Sequence, residues 1–381
     1  MRVESRRGFT LIELMVAMAL TLFIMVILSQ AFIASLDTFS GLKGIADMQA
    51  NLRAAEVLLR DDLSQDHFEG KRRLSSQTTA NSTPDLAARH PQAGFFALRR
   101  FNNNLPTTEG TDGFGIISQR CVDCMIYMTV KRKGNRQENF FNTALQGAPA
   151  DLNKFFNQTT AYDIPGTELP FSTQTQKYAG GPTGFYSSQW AEVMYFLVRT
   201  GSTEQPNDPT STLGTKTYGL YRAQFVMVPD GTKVSEIFTS TTPADITKLS
   251  ETTFAGMSCG PVTDTTVKPN VTKLKFFSPA DAAQQGVGQR VIPASTWAAF
   301  LPAFNPATNS RVMSNATLVC PNVISFHAQI MPVGTFLAKS FSDSIIDTAL
   351  APTGLWGIQV TLRVWDHKTR QTRQATVIQD L

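Results

Sequence analysis

The chain has 381 residues, of which 42% are hydrophobic and 17% are charged, and its formal net charge at pH 7 is +4. This hydrophobic content and length exclude an intrinsically disordered chain and fit one large folded unit or two smaller ones. The first eight residues hold three Arg and one Glu and so carry +2 of that charge, which argues against a strongly basic nucleic-acid-binding protein.

The first predicted element is a transmembrane helix at residues 9–35. Within this apolar run Glu13 is the only charged residue. At 1.5 Å per residue, a helix of this length exceeds the apolar core of a bilayer, which is about 30 Å thick. Basic residues precede the run at Arg2, Arg6 and Arg7. They keep the N-terminus in the cytoplasm, so we expect a single-pass inner-membrane protein with its bulk in the periplasm.

A secretory signal peptide or a plain membrane anchor would share the basic start and the apolar run. A signal peptide, however, is cut after its apolar run at a small-residue site, and no clear Ala-x-Ala site follows residue 28. The basic region instead ends in Gly8, ahead of the apolar run, and Glu13 lies shortly inside it. A carboxylate in hydrocarbon is costly and usually has a partner, which disfavours both alternatives.

The stretch Arg7-Gly8-Phe9-Thr10-Leu11-Ile12-Glu13-Leu14 resembles the cleavage and methylation motif of type IV prepilins. The resemblance implies that a prepilin peptidase cuts between Gly8 and Phe9, that Phe9 is N-methylated and that Glu13 acts in assembly. Cutting creates a cationic amine at Phe9, which the Glu13 carboxylate of a neighbouring subunit can neutralise. One departure is that no Pro occurs between Phe9 and Asp66, whereas major pilins often carry a kinking Pro there.

An amphipathic helix is predicted to continue through residues 36–68. Its apolar residues recur at spacings of three and four, with charged residues between them, at Ile45, Met48, Leu52, Ala55 and Leu59. This stripe can pack on the chain's own head, in a filament core or on both. Gly41 and Gly44 predict a bend or a weak point. The stretch 51–63 is similar to the end of the long helix in large PilW-type minor pilins and in J-type pseudopilins of type II secretion.

Residues 69–381 are predicted to form a β-rich head. A polar loop is expected at 71–91, and further long loops at 134–184 and 200–217. Strand-like runs follow at 125–131, 193–199, 219–228, 274–277, 323–331, 357–364 and 372–378. Alternating apolar residues in the runs at 323–331 and 357–364 are typical of half-buried antiparallel strands, and 366–370 is predicted as a hairpin loop. The predicted fold is therefore α+β: a long N-terminal helix carrying a large, mainly antiparallel sheet.

The four cysteines are Cys121, Cys124, Cys259 and Cys320. Disulfides are the default in an exported head, and four cysteines allow three connectivities. We favour Cys121–Cys124 as a local loop and Cys259–Cys320 as a long-range link. A zinc site on the Cys-x-x-Cys pair would need two further ligands at suitable spacing. The sequence offers no second close Cys or His pair, so we predict no metal site.

One stretch matches a catalytic motif by residue type and spacing. This is Gly256-Met257-Ser258-Cys259-Gly260, which fits the Gly-x-Ser-x-Gly elbow of hydrolases. That elbow needs a strand before the Ser and a helix after it. Here Pro261 and a β-branched run follow, so we do not assign Ser258 as a nucleophile. The sequence also lacks a phosphate-binding Gly-rich loop, a His-Glu-x-x-His motif and an EF-hand loop. We therefore predict no catalytic residue, no cofactor and no enzymatic activity.

The resemblance implies a structural subunit of a type IV pilus. The mature chain would have 373 residues (381 − 8). Major pilins are usually much smaller, so family analogy favours a low-copy minor pilin at a tip or in a priming complex. The alternatives are a pseudopilin of a type II secretion system and a surface-displayed binding protein that uses the pilin assembly route. The implied partners are other pilin or pseudopilin subunits, the prepilin peptidase and the inner membrane, and the final location is a pilus or pseudopilus, including the cell surface.

Overall fold

The computed structural model describes residues 10–68, 93–100, 106–111, 117–134, 139–147, 151–152, 155, 183–228, 238–264, 271–283, 290–292, 310–332, 341–348 and 355–380. The predicted leader, Gly8, Phe9 and the predicted loop at 71–91 lie outside these residues. Most of the predicted loop at 134–184 lies outside them too.

A single helix, α1, runs from Leu11 to Ser64 and contains 54 residues, which corresponds to about 80 Å. The predicted membrane segment and amphipathic segment are therefore one continuous helix. It passes through Gly41 and Gly44 without interruption. A side chain at position 44 would place its Cβ 2.7 Å from a carboxylate oxygen of Asp366. Gly44 thus allows close approach to the head.

The described residues of the head form strands in the following order. These are β1 (Phe96–Arg100), β2 (Thr107–Thr111), β3 (Ile117–Arg120), β4 (Cys124–Lys131), β5 (Phe141–Gln146), β6 (Thr183–Ser188), β7 (Trp190–Ser202), β8 (Lys216–Val226), β9 (Thr239–Ser240), β10 (Cys259–Asp264), β11 (Val271–Phe276), β12 (Ala316–Pro332), β13 (Ile346–Asp347), β14 (Leu355–Asp366) and β15 (Gln371–Asp380). Short helices among the described residues include α2 (Pro243–Glu251), α3 (Pro279–Ala283) and α4 (Ser310–Ser314).

The main sheet has eight strands in the order β13-β1-β4-β7-β8-β12-β14-β15. Every neighbouring pair in it is antiparallel. A three-stranded sheet, β10-β11-β9, and the pairs β2-β3 and β5-β6 complete the described strands. The fold is α+β, with a long N-terminal helix followed by a large antiparallel sheet, as predicted.

The alternating apolar residues of the two C-terminal runs lie opposite one another in the sheet. On β12 and β14, Phe326 lies opposite Leu362 and Ile330 lies opposite Ile358, and all four side chains are buried. The β14–β15 hairpin turns at the predicted position, because Asp366 pairs with Gln371. Each of the seven predicted strand runs overlaps a strand of the structure. Five lie wholly within it, whereas the runs at 219–228 and 274–277 extend two residues past β8 and one residue past β11.

Both faces of the main sheet are covered. The last part of α1 buries Met48, Leu52, Ala55, Leu59 and Leu63 in a core shared with one face, which confirms the predicted apolar stripe. Strand β4 shows why a second layer is needed: Ile126 and Met128 belong to this core, whereas Met125 and Tyr127 belong to a separate core on the opposite face. A strand buried on both faces has a continuous apolar sequence, as β4 does.

Candidate assembly helix and its junction with the head

No described residue of the head covers the N-terminal half of α1. An 18-residue window of it has a mean hydropathy of 2.7, with none of its residues buried, so the helix is long and apolar enough to cross a membrane. Its exposed side chains include Leu11 at 77% and Phe39 at 70% exposure. Because exposing a continuous apolar surface of this size to water is unfavourable, this half requires lipid or other apolar helices around it.

Glu13 lies at the third position of α1, where it forms a capping box with Thr10. The Thr10 backbone N–H and its hydroxyl both donate to Glu13 Oε2 at 2.9 Å, and the Glu13 N–H donates to the Thr10 hydroxyl at 3.3 Å. The carboxylate is thereby held at the positive end of the helix dipole. It contacts Thr10, which directly follows Phe9 in the chain. The Thr-x-x-Glu spacing could have predicted this cap from the sequence.

The second oxygen of the Glu13 carboxylate remains available. Within the described residues, Oε1 accepts no hydrogen bond, since both donors from Thr10 bind Oε2. A carboxylate can accept bonds at both oxygens. The cap therefore fixes the orientation of Glu13 while leaving an oxygen free for a cationic group outside the described residues, such as the amine of a neighbouring subunit.

At the other end of the helix, Asp62 joins α1 to the main sheet. Its side chain is fully buried and receives two bonds from Arg222 on β8, Nε to Oδ2 at 2.6 Å and Nη2 to Oδ1 at 3.0 Å. The Tyr195 hydroxyl on β7 donates to Oδ2 at 2.5 Å. Burial, and next the charge of Asp62, raise the pKa of Tyr195 well above its ordinary value, so this hydroxyl stays a donor.

This junction was not predicted. Asp62 continues the apolar stripe three residues after Leu59, and a carboxylate at a stripe position is the signal that could have indicated a buried partner. The chain is held again just past the helix, where His67 is buried and its Nδ1 lies 2.7 Å from the Thr129 carbonyl oxygen. Helix and head are thus connected by polar contacts as well as by the apolar stripe.

A second buried carboxyl group, Glu192, lies on the opposite face of the sheet. The hydroxyls of Tyr127 and Ser258 donate to its two oxygens, and the Val291 N–H donates to Oε2 at 3.3 Å. Burial raises the pKa of Glu192. Ser258 is fully buried, and strand β10 rather than a helix follows it. The strand-to-helix turn of a hydrolase elbow is therefore not formed around this serine.

Glu192 should make the stability of the head depend on pH. A carboxyl group whose pKa is raised on folding stabilises the folded state fully at low pH, and this contribution is lost as pH rises from the unfolded pKa, about 4.3, through the folded pKa. Glu192→Gln keeps a polar group for Tyr127 and Ser258 but cannot ionise. In urea unfolding of the detergent-solubilised chain, the stability of Glu192→Gln relative to the unmodified chain should rise between pH 4.5 and pH 8.

If the difference in unfolding free energy between Glu192→Gln and the unmodified chain did not change with pH, the ionisation of Glu192 would be contradicted. Comparing the two proteins at each pH removes the contribution of His67, which acts in the opposite direction. Burial lowers the His67 pKa, so its contribution to stability is lost as pH falls through its unfolded pKa, about 6.5, towards the lower folded pKa.

The structure does not support the predicted disulfides, because all four cysteines are buried free thiols. Cys259 lies on β10 of the small sheet, where its sulfur is 3.3 Å from an Arg311 nitrogen. Cys320 lies on β12 of the main sheet and points to the Pro321 carbonyl oxygen at 3.7 Å. The predicted Cys259–Cys320 link is therefore not formed, although both side chains lie in the same core.

The local Cys121–Cys124 pair is also not joined. A hydrogen bond to the Cys124 sulfur, followed by burial, raises the pKa of Cys121. The Cys121 thiol lies 3.2 Å from a carboxylate oxygen of Asp123. Among the described residues, no group of three or more His, Cys, Asp or Glu side chains has the geometry to hold a metal ion.

Residues 5–29 match the family model described as "Prokaryotic N-terminal methylation motif". The match covers 25 residues (29 − 5 + 1), from the basic start into the apolar half of α1, and includes Gly8, Phe9 and Glu13. No curated protein and no solved structure matches the chain significantly. The comparisons therefore describe the N-terminus as a prepilin-type methylation segment and do not extend to the head.

Proposed function

We propose that this chain, whose N-terminus carries a prepilin-type methylation motif, is a minor pilin-like subunit of a type IV pilus. The observation that carries the proposal is that the two halves of α1 have different surroundings. The half with the motif and Glu13 is apolar and exposed, whereas one face of the other half is buried against a large β-sheet head. Such a helix can transfer from a bilayer into a filament core while its head stays folded.

In the proposed sequence of events, the chain is first inserted with the head in the periplasm. A prepilin peptidase cuts between Gly8 and Phe9, and Phe9 is N-methylated. The helix then leaves the bilayer and packs against the helices of other subunits. Glu13 neutralises the cationic amine of Phe9 of a neighbouring subunit, an interaction that is strong because the filament core excludes water.

The proposed role is structural, not catalytic, and the proposed position is a low-copy one at a tip or in a priming complex. Head size supports this position, because a mature chain of 373 residues (381 − 8) is large for a subunit that repeats along a filament. The type II secretion alternative shares the N-terminal features. Neighbouring genes distinguish the two: a secretin with a secretion ATPase and other pseudopilins in one case, pilus retraction genes in the other.

The proposed position can be tested by quantitative mass spectrometry of sheared filaments. We expect the protein to co-purify at a small fraction of the major subunit, and we expect its deletion to reduce the number of filaments. A stoichiometry equal to that of the major subunit would contradict the low-copy role. Intact filaments together with loss of secreted proteins in the deletion strain would indicate a pseudopilin instead.

A further inference from the structure

The two edges of the main sheet differ in the length of their strands. At one edge, β13 has only two residues, Ile346–Asp347. At the other, β15 has ten residues and pairs with β14 along its whole length without a register shift. Among the described strands none pairs with the outer edge of β15. Long, regular edges are templates for an added strand, and proteins usually shorten or protect them.

Helix α1 lies beside β15 and forms a groove with it. The groove has a volume of about 300 Å³, and its lining includes Leu52 and Arg53 from α1 and Arg373 and Gln374 from β15. Leu52 is buried and provides an apolar floor. The edge of β15 with which no described strand pairs therefore borders a groove that can accept side chains of an added strand.

The groove carries two arginines, Arg53 and Arg373. Within the described part of the chain, neither Arg53 nor Arg373 forms an ion pair. Glu56 also lines the groove, but its carboxylate binds Arg60 at 2.9 Å. Two like charges in one groove repel each other, and a carboxylate placed between them would be attracted to both.

We propose that the groove between α1 and β15 binds an extended segment of another filament subunit. The segment adds as a strand to the outer edge of β15 and places an Asp or Glu side chain between Arg53 and Arg373. Backbone hydrogen bonds supply affinity, and the carboxylate supplies specificity and register. The inference rests on the proposed function, because it takes the occupant from the same filament.

A competing explanation is that Arg373 protects the edge. Charged side chains at an edge strand oppose pairing with other chains. In that case removing the charges should increase self-association, whereas a docking groove should lose its partner. The two explanations thus predict opposite effects of the same substitutions.

The test uses the full-length chain in cells that assemble the filament, with a photo-crosslinking amino acid at position 374. A chain with the same amino acid at position 204, an exposed site in the turn after β7, is the control. We expect position 374, and not position 204, to crosslink to an acidic extended segment of another subunit that carries the methylation motif. Arg53→Glu with Arg373→Glu should lower the yield about tenfold or more, and Arg53→Lys with Arg373→Lys should retain most of it.

An unchanged yield in the double Glu variant, crosslinks only within the chain itself, or more crosslinks between copies of it would overturn the inference. Leader removal and presence in sheared filaments are measured in the same cells. If the chain is processed and incorporated but position 374 reaches no other subunit, only the docking inference fails. If the chain is absent from filaments, the proposed function fails.

Discussion

Replacing Asp62 by Ala should destabilise the head by about 3–5 kcal/mol, the range expected when one partner of a buried ion pair is removed. Arg222 is 11% exposed at its side chain and would lose both bonds to the carboxylate. The Tyr195 hydroxyl would lose its short bond to Asp62 and keep only the longer contact, 3.4 Å, with the Leu58 carbonyl oxygen. Because the contact joins helix to sheet, we expect a lower urea midpoint for unfolding of the head in the detergent-solubilised full chain.

Asp61→Ala is the matched control. Asp61 is the neighbouring residue of the same helix, its side chain is 50% exposed, and its ion pair with Arg132 is long at 3.8 Å. An exposed pair of this kind contributes at most about 1 kcal/mol. Equal effects of the two substitutions would contradict the assignment of Asp62 as the polar link between α1 and the sheet.

Replacing Glu13 by Val should remove the protein from filaments while leaving its head folded. Glu13 lies in the apolar half of α1, far along the helix from the first buried residue, Met48. Removing a charge makes the segment more apolar, so membrane insertion should persist. The amine of Phe9 would lose its counter-ion where water is excluded, and an unpaired charge there costs several kcal/mol. We expect normal abundance in the inner membrane and loss from sheared filaments and from co-purified pilin complexes.

Two further variants separate charge from helix capping. Thr10→Ala removes the Thr10 side-chain contacts with Glu13, at a cost of about 1 kcal/mol, but keeps the carboxylate. It should be incorporated, and Glu13→Asp should be incorporated in part. If Glu13→Val binds partner pilins as well as the unmodified chain does, charge pairing is wrong even if the protein is a pilin.

The sequence predicted those parts of the fold that have a regular apolar period. The stripe of α1 and the alternation in β14 each bury one face, so their periods of about 3.6 and 2 were visible. Strand β12 also alternates in sequence, although Ser325 and His327 on its other face are buried too. The short strands β1 and β13 were missed because burial on both faces or a length of two residues leaves no alternation. Strand β5 falls in a stretch that polar composition had assigned to a loop.

The polar contacts were much less predictable. Asp62 and Arg222 are 160 residues apart, and Glu192 and Ser258 are 66 residues apart, so only the tertiary fold brings them together. For the same reason a count of cysteines could not establish which sulfurs meet. The cleavage motif was predictable because it is local: Gly8, Phe9 and Glu13 lie within six consecutive residues.

The central claim is that this chain is a prepilin-like precursor, and intact-mass analysis of the membrane-extracted protein tests it most directly. The account predicts a mature chain that begins at Phe9, lacks residues 1–8 and carries one added methyl group on its N-terminus. Gly8→Leu should retain the leader, because a bulky side chain at the cut does not fit the peptidase. A mature chain beginning anywhere after residue 28, as an ordinary signal peptidase would produce, would contradict the account.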